Sequence, residues 1–258
     1  MTTRARMFGD DARYAIYLTP AEPWNALGSR WLGRDALTGE RIERGADVDD
    51  ARVDAWTRGP CRYGLHATLK PPFRLAAGVS AAALDAAAHA LAVRMQSFAL
   101  ALELRPLRGF LAWRPADAPV ERGSLRALAD TCVRELDVFR APLSAADIAR
   151  RRAAGLTPRE DAHLVRWGYP YVFDTFAFHI TLTNQLDAAS ADAATNALAR
   201  LAAHHGCAAA LGIASMTVRD ISVFVQPAPD QPFVVARHYG FDGSTRDGAG
   251  APALKDHR

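Results

Sequence analysis

The chain has little of what would commit it to metal, redox or membrane chemistry. Its 258 residues include only three cysteines, Cys61, Cys132 and Cys207, all far apart. An odd, scattered set makes neither a disulfide framework nor a CxxC pair, and it suits a reducing cytoplasm. There is no HExxH string, no cysteine cluster and no regular aspartate spacing, so neither a metal nor another cofactor is expected. Neither GxxxxGK[ST] nor GxGxxG occurs, which removes P-loop and dinucleotide-binding readings. No apolar run reaches the roughly 18 residues of a membrane helix. Residues 1–11 carry arginines but lack the apolar stretch of a secretory signal. Charge is also modest, with a formal net charge of +3 and a pI near 8.9. That balance favours anionic ligands but falls short of a surface built to coat nucleic acid.

What remains is an ordinary globular composition, 50% hydrophobic and 23% charged. Residues 13–18, aromatic and branched and stopped by Thr19-Pro20, read as a strand. Residues 24–59 are irregular and glycine-punctuated, with a short helix at 48–56. A strand is expected at 63–69, ended by Pro71-Pro72. Residues 80–96, opened by a serine suited to capping, read as a helix. Strands follow at 98–104 and 110–113. Residues 124–136 and 143–166 are helical, the latter split by Gly155 and Pro158. A strand at 171–182, a helix at 189–205 and strands at 207–213, 216–225 and 233–239 complete the chain. Residues 242–258 are glycine-rich and read as a disordered tail.

The order strand, helix, strand, strand occurs twice. The interval from His66 to Pro115 nearly equals that from His179 to Pro227. This suggests an α+β fold of two related lobes about an approximate two-fold axis, each a small antiparallel sheet with flanking helices. Residues 124–167 would be a helical insertion in a single bilobal domain over 12–241.

Two strings sit at matching places in that repeat: His66-Ala67-Thr68-Leu69 and His179-Ile180-Thr181-Leu182. On a strand, residues i and i+2 share a face, so each histidine points the same way as its threonine. An imidazole takes or gives a proton near neutral pH. Two of them flanking a phosphodiester can divide the work, one deprotonating the nucleophile and the other protonating the leaving oxygen. Threonine hydroxyls can hold the non-bridging oxygens as charge builds on them. One such string alone is more often structural than catalytic, but two at matching positions favour chemistry.

The paired strings resemble the signatures of the two-histidine (2H) phosphoesterase superfamily, to which RNA-ligating and cyclic-phosphodiesterase proteins belong. Four longer blocks narrow the resemblance: Arg13-Tyr14-Ala15-Ile16-Tyr17, Arg62-Tyr63-Gly64-Leu65-His66-Ala67-Thr68-Leu69-Lys70, Leu156-Thr157-Pro158 and Trp167-Gly168-Tyr169-Pro170-Tyr171. They are similar to a bacterial family of that superfamily associated with phosphonate-utilisation operons. The resemblance implies a two-lobed fold with both signatures facing a central groove. It also implies hydrolysis of a cyclic or linear phosphodiester, with a cyclic phosphorylated sugar of phosphonate breakdown as the natural candidate.

Four further residues are candidates for substrate binding. Lys70 shares the face of His66 and Thr68 and carries a charge suited to phosphate. Tyr17 and Arg13 alternate onto one face of the first strand. Tyr171, with Trp167 and Tyr169, is a candidate lid or stacking wall, against an ordinary aromatic cluster as the plainer reading. Tyr63 is expected to pack on the apolar side of its strand. The other histidines need no function. Three activities compete: hydrolysis of a small phosphorylated metabolite, hydrolysis of an RNA 2′,3′-cyclic phosphate end, and phosphate or RNA binding without turnover. The modest charge ranks RNA behind a small substrate. No membrane partner is expected.

Overall fold

The computed structural model describes residues 11–45, 48–116 and 119–255. The reading of the first ten residues and the last three therefore lies outside the described residues. The elements run β1 (Arg13–Leu18), α1 (Trp24–Leu32), α2 (Asp50–Tyr63), β2 (Ala67–Phe73), α3 (Ala81–Ala92), β3 (Phe98–Leu107) and β4 (Phe110–Pro115). They continue with α4 (Pro119–Glu135), α5 (Ala145–Arg152), α6 (Pro158–Trp167), β5 (Ile180–Thr181), α7 (Ala188–His204), β6 (Ala214–Val218), β7 (Asp220–Gln226), β8 (Val234–Gly240) and β9 (Thr245–Asp247).

Helix starts follow from local chemistry. Ser80 accepts a hydrogen bond from the Ala83 amide at α3, as Asp187 does from Ser190 at α7. Thr157 and Glu160 form a reciprocal capping box at α6, and Gly168 in the left-handed region ends that helix. Among the described residues the strands make one antiparallel sheet of nine, in the order β6-β3-β4-β5-β2-β1-β7-β8-β9. A mixed α+β architecture is thus present, but as one continuous sheet rather than two. The histidine strands, expected on separate lobes, are immediate neighbours at its centre.

Alternation sorts the sheet's two faces. Tyr14, Ile16 and Leu18 of β1 enter the main core with Leu65, Ala67, Leu69, Ile180 and Leu182 and the apolar sides of the helices. Ala15 and Tyr17 enter a second cluster on the opposite face, with Ala36, Phe224, Phe233 and Val235. Two fully buried tryptophans tie the core to the central strands. The Trp31 indole donates to the Leu182 carbonyl at 2.9 Å, and Trp113 donates to that of Ala210 at 2.7 Å. Replacing either by alanine costs roughly 3–5 kcal/mol.

Several expectations are corrected. Residues 24–59 hold α1, and α2 runs well past Trp56 to Tyr63. Tyr63 therefore ends a helix instead of starting a strand. Pro71 and Pro72 lie within β2: its register with β1 slips between Tyr14↔Phe73 and Ile16↔Lys70, and an irregular ladder tolerates residues without an amide hydrogen. Residues 171–182 are not one strand. A 3-10 turn occupies Phe173–Thr175, and the Thr175 hydroxyl bonds the Pro170 carbonyl at 2.7 Å, a local bond that competes with a ladder. Residues 207–213 hold a 3-10 turn at Ala208–Leu211, where alanines offer no branched surface for a sheet. The span 216–225 breaks at Arg219 into β6 and β7, which sit in different parts of the sheet. The tail is ordered through Lys255: β9 pairs with β8, Ala253 and Leu254 are buried, and the Tyr14 hydroxyl donates to the Ala253 carbonyl at 3.0 Å. Finally, α4 belongs to the main core through Leu125, Leu128 and Cys132, joined by Leu136 just past its end, so only the later helices of the inserted stretch stand outside it.

Candidate active site

The two strings meet through the pairing of β2 with β5, in which Ala67 faces Ile180. One step along this antiparallel register sets His66 across from Thr181, and Thr68 across from His179. All four side chains share the sheet face opposite the main core, because Ala67 and Ile180 between them are fully buried in it. The histidines are diagonal neighbours, a relation that puts two residues roughly 7–8 Å apart, with their Cβ atoms somewhat closer.

Each ring is anchored in the same way. His66 Nδ1 lies 2.8 Å from the Gly64 carbonyl, and His179 Nδ1 lies 2.8 Å from the Ala177 carbonyl. A carbonyl only accepts, so each Nδ1 carries the hydrogen and each Nε2 presents a lone pair. The Thr68 hydroxyl donates to His66 Nε2 at 3.3 Å. The anchor of His66 depends on Gly64, whose φ of 77° suits glycine and whose absent Cβ would lie 2.6 Å from that of Ala36.

The surroundings then diverge. His66 stacks on Tyr17 with ring centroids 3.7 Å apart, and Tyr63 and Phe224 each stand 6.2 Å away. Burial pushes this imidazole down to about 4; the Gly64 carbonyl opposes the shift and His179 adds to it. His179 leans the other way, toward Phe110 of β4 at 5.7 Å. Its pKa is also lowered, by burial first and then by the guanidiniums of Arg108 and Arg114, while the Ala177 carbonyl opposes. An aromatic wall thus backs one histidine, and cations attend the other.

The remaining candidates divide. Tyr17 shares the His66 face but is sealed at 1% exposure, and it serves as the platform for the imidazole. Arg13 shares that face too. Its guanidinium donates to Gln226 at 2.7 Å, rests over the Phe233 ring, and lies near enough to act on the Tyr17 hydroxyl. Tyr171 meets Tyr169 edge-on at 5.4 Å and lies under the Arg108 guanidinium. Tyr169 acts electrostatically on Tyr17, and Tyr63 on Tyr169, which brings the inserted stretch close to the aromatic neighbours of His66. Trp167 packs on Phe173 in a separate apolar cluster.

Lys70 is a correction. It is 1% exposed, and its ammonium pairs with Asp137 at 2.9 Å and reaches the Val133 carbonyl. Its charge is committed beneath α4 and is not offered to a ligand. Tyr63 is also displaced from its expected apolar side: it stands 37% exposed, stacked on Phe233. His163 and His238 find ordinary partners in Asp174 and Ser222. Arg108, Arg114 and Phe110 escaped the sequence reading. The alternation Phe110, Ala112, Arg114 is visible in the string, but nothing there says that β4 borders β5.

Among the described residues no group of three or more metal-ligating side chains could hold an ion, and no helix is long and apolar enough to cross a membrane. A one-sheet α+β protein with two facing His-x-Thr strings is the class that fold and site define. The chain belongs to the family described as "Protein of unknown function (DUF1045)", whose model matches residues 68–234. That span includes Thr68, His179 and Thr181 and begins just after His66. Two relatives carry the name ribose 1,5-bisphosphate phosphokinase PhnN. The one from Janthinobacterium sp. (strain Marseille) is 36% identical over 236 residues, 90% of this chain and 51% of its own length. The one from Laribacter hongkongensis (strain HLHK9) is 37% identical over 227 residues, 87% and 51% respectively. The chain therefore spans about half the length of these curated relatives. Among solved structures it is similar to Usb1 of Kluyveromyces marxianus at 10% identity and a TM-score of 0.35, over 88% of this chain and 98% of that one. The same protein with uridine monophosphate gives 12% and 0.36 over the same shares. Values this low carry no argument, and the functional reading rests on the site.

Proposed function

We propose that the chain is a metal-independent phosphodiesterase of the two-histidine type, acting on a cyclic or linear diester of a small phosphorylated metabolite. One observation carries the reading: two imidazoles on adjacent strands, each fixed as the Nδ1–H tautomer by the carbonyl two residues back, share a face with two threonines. We read the strings as two copies of one element about a local two-fold between Ala67 and Ile180, the remnant of the expected two-lobed symmetry.

In the reaction one Nε2 removes a proton from water as its oxygen attacks phosphorus. The other imidazole, protonated in the bound complex, gives its proton to the departing oxygen as the P–O bond breaks. Both histidines start neutral at pH 7 because burial disfavours their charged forms. The anionic diester reverses that preference for the ring beside the leaving group. Thr68 and Thr181 hold the non-bridging oxygens. Each proton-transferring group supplies ~10² to 10⁴ in rate.

The relatives' name favours a sugar phosphate, since opening a cyclic phosphate on a phosphorylated ribose yields a ribose bisphosphate. Phosphonate breakdown in the cytoplasm is the proposed setting. RNA 2′,3′-cyclic ends are the second reading, favoured by the aromatic wall beside His66, where a base can stack. Turnover of cyclic sugar phosphates and oligonucleotide ends, measured with a chelator present, decides between them. Chelator-resistant hydrolysis of the sugar phosphate supports the proposal; binding without turnover of either substrate rejects it.

A further inference from the structure

The unequal charge around the two histidines has a structural source in the β3–β4 hairpin. Leu107 pairs with Phe110, leaving a two-residue loop of Arg108 and Gly109 in which both φ values are positive, 48° and 86°. Such loops favour asparagine or glycine at the first position, because a left-handed conformation strains residues with longer side chains. Arg108 occupies it nonetheless, its guanidinium over the Tyr171 ring at 5.2 Å. The loop is held against the strand of His179's string: the Leu186 amide donates to the Gly109 carbonyl at 2.7 Å, and Gln185 donates to that of Arg108 at 3.2 Å.

Arg114 comes from the same hairpin. β4 pairs with β5 through Ala112↔Thr181 and Trp113↔Ile180, so one further step sets Arg114 across from His179. Its Nε is buried without a hydrogen-bond partner among the described residues. Both guanidiniums act on His179, and neither is among the groups that act on His66. A buried guanidinium donor without an acceptor beside a catalytic imidazole is suited to an anion that arrives with the substrate.

We propose that Arg108 and Arg114 form a subsite for a second, non-reacting anionic group of the substrate, a phosphomonoester, on the β4 side of His179. This rests on the phosphodiesterase reading and deepens it. The scissile diester lies over Thr68 and Thr181, the monoester lies toward the hairpin, and the substrate is thereby held in one orientation across a nearly symmetric pair of histidines. Bidentate guanidinium contacts suit a phosphomonoester's charge and geometry.

The test compares a ribose cyclic phosphate bearing a 5-phosphate with its 5-hydroxyl counterpart. The wild-type protein should prefer the former by 100-fold or more in kcat/KM. Arg108→Asn and Arg114→Met should each cut that ratio by 10-fold or more, chiefly through KM for the phosphorylated probe. Asparagine suits the turn, so Arg108→Asn should also melt no lower than wild type, which separates lost discrimination from lost folding. A wild-type ratio near one, or variants that slow both probes in parallel, would overturn the subsite. If the wild-type protein hydrolyses neither probe, the phosphodiesterase reading fails. Calorimetric binding of ribose 5-phosphate then decides the subsite alone: affinity at least 10-fold weaker in the variants supports it, and equal affinity rejects it.

Discussion

The His66 and His179 halves of the candidate site share a His-x-Thr-Leu pattern and the same kind of ring anchor, yet they sit in unlike surroundings. Around His66 the neighbours are rings: Tyr17 beneath, with Tyr63 and Phe224 beyond. Around His179 they are Phe110 and the charges of Arg108 and Arg114. The pattern itself fixes the tautomer, because the acceptor carbonyl lies two residues back on the same chain. What surrounds each ring sets its charge, and that is decided by neighbouring strands. Matching strings therefore yield two imidazoles of unequal character, which suits the proposed reaction's need for both an acid and a base.

The anchors offer the sharpest way to break the comparison. Gly64→Ala forces a side chain into a left-handed conformation and against Ala36, and should cost roughly 3 kcal/mol while displacing His66. Ala177→Ser, at the matching place before His179, meets no such demand and should stay within about 0.5 kcal/mol, as exposed surface changes do. Urea melts of both variants check this.

Acid should also separate the halves. His66 titrates near 4 when folded and near its ordinary 6.5 when unfolded, so the unfolded chain takes up the proton first as pH falls. Stability is full above pH 6.5 and is lost as pH drops toward 4, by up to roughly 3 kcal/mol from this one group. His66→Asn should flatten that part of the stability–pH curve in calorimetric scans.

Lys70 tests whether strand alternation alone makes a site. Lys70→Met removes the partner of a half-buried Asp137, which Arg140 still holds at 2.8 Å. The loss should be about 2 kcal/mol of stability, with KM for the cyclic phosphate unchanged. A raised KM would return Lys70 to the groove. The smallest effect expected is one of salt. Raising ionic strength screens Arg108 and Arg114 and should lift the His179 pKa, leaving His66, governed by burial, in place. Imidazole NMR titrations at two salt concentrations read both.

Much of the site was legible because its determinants are local. Strand period put each histidine beside its threonine, and β1 alternation put Arg13 and Tyr17 on one face. The capping serine Ser80 marked the start of α3 correctly. What escaped was set by tertiary contact. Helix α1 has no side-chain cap at Pro23 and contains Gly28, and it forms because its apolar residues pack into the core. The glycine-rich tail read as having too little to bury, yet it docks through Ala253 and Leu254. Arg114 lay in plain view, and only the order of strands reveals that it faces His179. Lys70 failed for the same reason, since α4 and Asp137 claim it.

The proposed acid–base pair is tested most directly by kcat/KM for a cyclic sugar phosphate in His66→Ala, His179→Ala and the double variant, with chelator present. Each single change should lose ~10² to 10⁴ in rate while the protein stays folded. The double variant should lose little more than the worse single one, because the two groups serve a single transition state. Near-wild-type turnover in either single variant, or losses that multiply as if independent, would contradict a shared acid–base pair.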